Sequence, residues 1–370
     1  MKKLISIALC AVMLLGVFCA MASCSKESYE IAVVTDVGQI NDKGFNQGTW
    51  EGAEAYAKKN NISVKYYQPA NGSDANDNDR IAAMRQAINN GAKVIVTPGY
   101  LQATALRTVA AEHPEVKFVF VDGWTITDKV DETGKEVGTP FANITAIVYK
   151  EQESGYLAGY AVVKEGYEKL GFTAGGGGTN PACNRFGYGF VQGANAAAAE
   201  LGKTVTIKYS YKFGDNFSAN SELQAQIASW YAAGTEVVFA CGGSMFQSVA
   251  AAASAEDASV IGVDVDQSFE SDTVITSAMK GIGQAAETAL KAAESDDTWN
   301  AFIGDGATTI TLGAKDNAVG LPTATWSLNG WTVEEYEQML ADIVAGKVVI
   351  DGSDVPEPAS TDNVTVNIVK

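Results

Sequence analysis

Short apolar runs alternate with helical stretches along most of the chain. Continuous runs of Val, Ile and Phe predict strands buried on both faces, and Ala-rich stretches with helical spacing predict the helices between them. Buried strands separated by helices are typical of a parallel sheet covered on both sides. In the first half the predicted strands are 31–36, 62–67, 94–97, 116–122 and 144–149, and the predicted helices lie near 45–59, 79–89 and 103–112.

The same pattern restarts near residue 170 and predicts a second α/β unit, although no sequence repeat relates the two. Two doubly wound lobes with several chain crossings between them form a hinged cleft. The second unit has predicted strands at 170–173, 205–211, 236–240 and 260–264, and predicted helices near 185–201, 221–233 and 246–253. Later segments are predicted to be shared between the two lobes, at 274–279, 284–293, 308–312, 333–345 and 364–369.

The first 23 residues have the pattern of a signal peptide. Lys2 and Lys3 precede an apolar run at residues 4–19 that is too short to span a membrane as a helix. After the run come small residues that end in Met21-Ala22-Ser23-Cys24, which resembles a bacterial lipobox. We therefore predict cleavage after residue 23, acylation of Cys24 and a short tether at 24–28, which would anchor an extracytoplasmic protein to the bacterial cell membrane through lipid.

Charge and histidine content exclude several functional classes. The formal charge of −18 makes nucleic acid an unsuitable partner, because the surface repels phosphate. His113 is the single histidine, so a histidine-based zinc site or a Ser-His-Asp triad lacks the residues that it needs. We therefore expect no metal site, no cofactor and no catalytic residues. Cys183 and Cys241 remain as a disulfide or as two buried free thiols.

Acids and aromatic residues follow several predicted strands, where open α/β sheets bind their ligands. Asp36 ends the first strand, and a polar loop then leads to Phe45 at the start of a helix. Asp42 in that loop is expected to cap the helix by accepting its free amides. Phe45 either joins the core or faces the cleft, where its ring would stack on a flat base and contribute on the order of 1 to 3 kcal/mol.

The second unit offers a further aromatic residue and an ion pair. Phe239 lies in a strand followed by Gly242 and Gly243, which allow close backbone approach. Its ring either covers the other face of the base or is an ordinary core residue. Asp264 and Lys280 end neighbouring strands and either bind the vicinal hydroxyls of a ribose or serve as a cap and a surface ion pair.

A glycine-rich segment at residues 175–178 follows a predicted strand and precedes a helix. It lacks the spaced glycines and the Lys-Ser/Thr pair of a phosphate-binding P-loop. We therefore expect a flexible turn that lines the cleft.

Several segments together resemble the basic membrane protein family of bacterial solute-binding lipoproteins, which has nucleoside-binding members. They occur in the order of the family and span nearly the whole chain after the signal peptide. The matching segments are Val34-Thr35-Asp36, Asp42 to Gln47, Phe120-Val121-Asp122, Glu153 to Gly159, Gly262 to Gln267 and Ser277 to Lys280.

The resemblance implies an α/β fold of two Rossmann-like lobes, the type I periplasmic-binding-protein fold, with about three crossovers at a hinge. We expect the first lobe at residues 29–150 plus about 270–315, and the second at 151–269 plus about 316–370. The family also implies an ABC permease and its ATPase as partners. The implied ligand is a purine nucleoside, guanosine, inosine or adenosine, held in the cleft between the lobes.

The resemblance further implies which residues contact the nucleoside. Two rings sandwich the base, polar side chains meet the base edge, and an acid with a lysine holds the ribose hydroxyls. The two rings are Phe45 and Phe239. The side chains at the base edge are Asp36, Asn46 and Asp122. The acid and the lysine at the ribose are Asp264 and Lys280.

Three alternatives remain at this point. The two-lobed fold also serves binding proteins for sugars and other small polar metabolites. A secreted hydrolase acting on nucleosides needs clustered acids, for which Asp264 and Asp266 give little support. A surface lipoprotein that acts as a sensor or adhesin would bind no small ligand.

Overall fold

The computed structural model describes residues 28–37, 39–304 and 309–370. The predicted signal peptide and Cys24 lie outside the described residues. Within this part of the chain, no helix combines the length and apolar character needed to cross a membrane.

Two separate sheets form the centre of the fold, as the alternation of apolar runs and helices predicts. The first sheet has six parallel strands in the order β11-β5-β4-β3-β1-β2. Its strands are β1 (Ile31–Val34), β2 (Val64–Tyr67), β3 (Val94–Pro98), β4 (Lys117–Val121), β5 (Ile144–Tyr149) and β11 (Ile310–Leu312).

The second sheet has seven strands in the order β12-β10-β9-β8-β6-β7-β13, all parallel except β12, which pairs antiparallel with β10. Its strands are β6 (Lys169–Ala174), β7 (Val205–Ser210), β8 (Val237–Cys241), β9 (Ser259–Asp264), β10 (Val274–Lys280), β12 (Val319–Gly320) and β13 (Val364–Ile368).

Helices cover the faces of both sheets, and most of them match the predicted positions within a few residues. In chain order they are α1 (Phe45–Asn60), α2 (Asp77–Asn89), α3 (Ala103–Glu112), α4 (Glu151–Glu165), α5 (Pro181–Leu201), α6 (Ser221–Ala232), α7 (Phe246–Glu256), α8 (Ile282–Ala292), α9 (Asp296–Ile303) and α10 (Val333–Val344).

Helix α4 is buried on every side and packs against α5 through glycines. A Cβ atom at Gly155 would lie 2.1 Å from the carbonyl oxygen of Phe186, and one at Gly159 would lie 2.1 Å from that of Phe190. On α5, a Cβ atom at Gly193 would lie 1.9 Å from the carbonyl oxygen of Tyr156. The backbones of the two helices are therefore in direct contact, which only glycine allows.

Within the described ranges the chain crosses between the lobes three times, between β5 and α4, between β10 and α8, and after β11. One predicted boundary is wrong. Residues 274–280 were expected in the first lobe, but β10 pairs with β9 of the second sheet, with Ser277 opposite Gly262 and Met279 opposite Asp264. The crossing therefore lies near residue 281, and α8 then packs on α1 of the first lobe, where Gly52 and Gly283 meet.

Candidate functional site

A cavity lies between the carboxyl ends of the two sheets, which is where open α/β sheets bind small molecules. The first lobe and the second lobe both contribute to its wall. Six of the seven predicted ligand residues line it: Asp36, Phe45, Asn46, Asp122, Asp264 and Lys280.

Lys280 connects acids of both lobes inside the cavity. Its ammonium donates a hydrogen bond to Oδ2 of Asp122, which follows β4, and lies 3.5 Å from Oδ1 of Asp264, which ends β9. Asp264 and Lys280 are buried, and the side chain of Asp122 is 9% exposed. Asp122 (φ 57°) and Asp264 (φ 68°) both have left-handed backbone, a strained conformation that is common at ligand sites.

Burial and mutual attraction set the protonation of this group. Burial raises the pKa of Asp264 to about 6, while Lys280 opposes the rise. Burial also lowers the pKa of Lys280, but Asp122, Asp264 and Glu151 together raise it above its ordinary value. Lys280 therefore stays charged, and the pKa of Asp264 lies near 6.

A second polar group surrounds the start of α1. The carboxylate of Asp42 accepts hydrogen bonds from the backbone amides of Gly44, Asn46 and Gln47 at 3.0, 2.9 and 3.0 Å. This confirms that Asp42 caps the helix. Burial nevertheless raises its pKa, because desolvation outweighs these hydrogen bonds.

Asn46 extends this group toward the cavity. Its side-chain amide donates to Oδ2 of Asp42 at 3.1 Å and to Oδ1 of Asp36 at 3.3 Å. Oδ1 of Asn46 is buried without a hydrogen-bond partner in the described chain, and so is Oδ1 of Asp122. Two acceptors thus remain available in the cavity wall.

Gly99 leaves room for the carboxylate of Asp36. A Cβ atom at Gly99 would lie 2.1 Å from Oδ2 of Asp36, and the backbone there has φ 98°. Any other residue would both be strained and displace the carboxylate.

Aromatic rings from both lobes line the cavity. Phe45 is half-buried, and the ammonium of Lys280 lies 4.7 Å from the centre of its ring. Phe186 and Phe217 belong to the wall of the second lobe. The cavity is therefore bounded by rings on both sides.

The glycine-rich segment makes space for Phe217. A Cβ atom at Gly175 would lie 2.1 Å from Cδ1 of Phe217, and one at Gly242 would lie 2.8 Å from the same atom. Asp215 places a carboxylate oxygen beside Gly177, where a Cβ atom would lie 2.7 Å from it. An acid in this position is unsuited to a phosphate site, so the segment supports a ring instead.

Phe239 does not lie at the cavity wall, and the expectation that it covers the base needs correction. Its side chain is fully buried in the core of the second lobe. The ring packs edge-on against Phe172, Phe186 and Phe190, with centroid distances of 5.4, 5.9 and 5.5 Å. As a central residue of β8, Phe239 points to the helices that cover the sheet, whereas Cys241 at the strand end lines the cavity.

Phe186 and Phe217 line the cavity wall but were not predicted as site residues from the sequence. Phe186 lies near the start of α5, and its helical spacing in the sequence is the same as that of a core residue. Phe217 lies in the irregular segment between β7 and α6. The glycines on both sides of it in space, Gly175 and Gly242, were the only available signal, and they are distant in sequence.

The lobes are in contact at the edge of the cavity. The side-chain amide of Gln267 donates to the carbonyl oxygen of Lys43 at 2.7 Å, and the ammonium of Lys43 lies 3.3 Å from Oε2 of Glu270. On the other side the hydroxyls of Tyr100 and Thr179 are 3.5 Å apart. The described conformation is therefore a closed one.

Cys183 and Cys241 are free thiols in the wall of the second lobe, not a disulfide. Both are buried. Of the two alternatives left open by the sequence, the structure has the reduced pair.

Comparison with known protein families gives one match over most of the chain. The family described as ABC transporter substrate-binding protein PnrA-like, Bmp, matches residues 29–354. The nucleoside-binding protein BmpA of a Lactococcus lactis ABC transporter is 28% identical over 350 residues, which cover 88% of this chain and 90% of that protein. An uncharacterized lipoprotein of Pyrococcus horikoshii is 27% identical over 87% of this chain and 74% of its own length.

Solved structures of solute-binding proteins share the fold. One from an ABC transporter system of Aeropyrum pernix superposes with a TM-score of 0.68 at 21% identity, over 88% of this chain and 94% of that one. Another from Conexibacter woesei has a TM-score of 0.62 at 20% identity, over 88% and 99%. The two-lobed α/β fold predicted from the sequence is thereby confirmed.

Proposed function

The chain belongs to the Bmp family of PnrA-like ABC transporter substrate-binding proteins, and from this premise we propose that its own ligand is a purine nucleoside. The ligand binds in the cavity between the lobes, which close over it. The protein acts by binding and release and performs no catalysis.

The observation that carries this proposal is the combination of aromatic walls with two separate polar groups in one cavity. Phe45 of the first lobe and Phe217 of the second line the same space. A flat base between two such rings gains on the order of 1 to 3 kcal/mol for each stacking contact. We propose Phe217 as the second ring, because Phe239 lies in the core.

The ion pair at the back of the cavity suits a ribose. An ionised carboxylate accepts two hydroxyl hydrogen bonds, and a lysine donates to hydroxyl oxygens. Asp264 and Lys280 supply these groups from adjacent strands of the second sheet. Asp122 then keeps Lys280 charged and in place from the first lobe.

The polar group at the start of α1 suits the edge of a purine base. Asp36 accepts hydrogen bonds, and Asn46 has a buried acceptor oxygen without a partner in the described chain. The ring N–H and amino groups of guanine, hypoxanthine or adenine are donors that match such acceptors. An anionic ligand is disfavoured by the excess of carboxylates at Asp36, Asp42, Asp122 and Asp264.

The location and partners follow from the family. A substrate-binding protein of an ABC importer works outside the cytoplasm with a permease and an ATPase. We propose that acylated Cys24 anchors this protein to the cell membrane; the Pyrococcus relatives described as lipoproteins support that anchor.

Calorimetric titration tests the ligand. The protein is freed of bound ligand by unfolding and refolding, and is then titrated with guanosine, inosine, adenosine, uridine and ribose. We expect tight binding of at least one purine nucleoside and ribose binding weaker by 100-fold or more. Ribose binding as tight as any nucleoside would assign the cavity to a sugar. Release of free base from inosine during incubation would show that the protein is an enzyme.

A further inference from the structure

We infer that Cys183 and Cys241 form a reactive dithiol pair in the cavity wall, which disulfide oxidants convert into an intramolecular disulfide. The pair is a modification site within the second lobe. Its chemistry stands on the geometry of the two thiols, and only its expected effect on ligand rests on the proposed function.

The thiol of Cys183 lies against the backbone of Cys241. Its Sγ donates a hydrogen bond to the carbonyl oxygen of Cys241 at 3.7 Å, and both residues line the same cavity wall. Cys183 lies in the first turn of α5, and Cys241 ends β8 of the same lobe. Because both elements belong to one lobe, opening of the cleft exposes the thiols without separating them.

Their environments assign different roles to the two sulfurs. Cys183 is the third residue of a 21-residue helix whose N-cap is Asn180. The amides at a helix N-terminus favour the negative charge of a nucleophilic sulfur, so Cys183 is the residue placed to attack first. Burial raises the pKa of the Cys241 thiol, and its interaction with Cys183 raises the pKa further. Cys241 is therefore suited to act second.

The reaction with oxidised glutathione balances in two exchanges. The Cys183 thiolate attacks one sulfur of the oxidant, the glutathione disulfide bond breaks, and one glutathione leaves and takes up a proton. Cys241 then loses its proton and attacks the sulfur of Cys183, and the second glutathione leaves. Two protein thiols are oxidised to a disulfide, and one glutathione disulfide is reduced to two thiols.

The new bond would change the ligand cavity. A disulfide bond of about 2.0 Å draws the start of α5 toward the end of β8. The two cysteines line the same cavity as Asp264 and Lys280, so the thiol pair lies near the proposed ribose site. Gly242 and Gly243 continue the wall directly after Cys241. Oxidation is therefore expected to weaken nucleoside binding by tenfold or more, and reduction to restore it.

The first experiment incubates ligand-free protein with oxidised glutathione and maps the peptides that contain Cys183 and Cys241 by mass spectrometry. Peptide mapping distinguishes Cys183 and Cys241 from Cys24 and the two earlier cysteines. We expect the wild-type protein to lose both thiols, to carry no glutathione, and to regain both thiols with dithiothreitol. Cys241→Ser should hold one stable glutathione on Cys183, and Cys183→Ser should react at least tenfold more slowly at Cys241.

A stable glutathione adduct on wild-type Cys183, or thiols that react only after unfolding in denaturant, would overturn the inference. Inosine added before the oxidant separates this result from the proposed function. Disulfide formation that inosine slows tenfold supports both the dithiol pair and the nucleoside site. Disulfide formation at an unchanged rate, together with no inosine binding in the calorimeter, contradicts the nucleoside site while the dithiol pair stands.

Discussion

Lys280 of the second lobe donates a hydrogen bond to Asp122 of the first lobe through the interior of the cavity. Lys280 also ends β10, the last residue before the chain crosses back to the first lobe. The same residue therefore belongs to the proposed ribose site, to an ion pair between the lobes and to the hinge. Loss of the ligand contact and opening of the lobes are expected to be coupled at this position.

Asp264→Ala is expected to weaken nucleoside binding by roughly 1.5 to 3 kcal/mol, the range for a hydrogen bond to a charged group. Calorimetry measures the loss. Asp266→Ala is a matched control, because Asp266 lies two residues after Asp264 but accepts a hydrogen bond from the hydroxyl of Thr325 at 2.7 Å. An unchanged affinity in Asp264→Ala would remove Asp264 from the site.

Binding is expected to weaken as pH falls through about 6. The pKa of Asp264 is raised to about 6 by burial, and the ligand hydroxyls need its ionised form. The affinity should fall by roughly tenfold between pH 7 and pH 5, since one proton competes with the ligand. Asp42, Asp122 and Lys280 face the same carboxylate. The affinity of Asp264→Asn should not change with pH over this range. The same pH dependence of affinity in wild type and variant would assign the titration to another group.

The effect of Asp264 on stability has the opposite sign. Its folded pKa lies above the ordinary value of 3.8, so the folded protein binds this proton more tightly than the unfolded chain does. The contribution of Asp264 to the free energy of unfolding therefore decreases as pH rises from about 4 to about 6. Denaturant unfolding of wild type and Asp264→Asn at several pH values measures this difference, which should grow in favour of the variant with rising pH.

Phe217→Ala and Phe239→Leu separate the cavity wall from the core. Phe217→Ala should lose on the order of 1 to 3 kcal/mol of nucleoside binding, the worth of one stacked base, with a small change in stability. Phe239→Leu should lower the melting temperature, because it loosens the packing against three other rings. The folded fraction should still bind with wild-type affinity. The reverse pattern would return Phe239 to the ligand site.

Glu270→Gln is expected to speed ligand release. The pair of Glu270 with Lys43 joins the lobes at the edge of the cavity, and both side chains are partly exposed. Such pairs contribute roughly 0.2 to 1 kcal/mol, so the dissociation rate should rise about 1.4- to fivefold in stopped-flow measurements. Glu287→Gln is the control. Oε1 of Glu287 lies 3.6 Å from Nζ of Lys59, and this ion pair is away from the cavity. Equal effects of the two variants would contradict a role in closure.

The sequence was most informative where burial is one-sided. Helices with an apolar face were predicted within a few residues, as for α3 at Ala103–Glu112. Helix α4 was missed because residues 151–163 are all buried and no polar face marks the helical period. The membership of β10 could not be predicted either, since a strand of the same composition fits the edge of either sheet.

Part of the candidate site could be predicted from the sequence and part could not. Acids after strand ends were predictable, because parallel strands carry their end residues to one edge of the sheet, and Asp36, Asp122 and Asp264 all line the cavity. The second ring was not predictable from spacing. Phe239 has the more regular sequence context, while Phe217 reaches the cavity from an irregular segment whose path depends on glycines in two other loops.

The direct backbone contact between α4 and α5 determines which part of the molecule bends. At this contact the carbonyl oxygens of one helix touch the glycine Cα atoms of the other, and no side chains lie between them. Because the two backbones cannot shift past each other, α4 must move together with α5. Since α4 begins one residue after the first chain crossing, rotation between the lobes has to occur in the few peptide units at each crossing, near residues 150, 281 and 313. A bulkier residue at Gly155 would therefore disturb the angle at which the second lobe starts, far from any ligand atom, and would alter the resting distribution between open and closed forms.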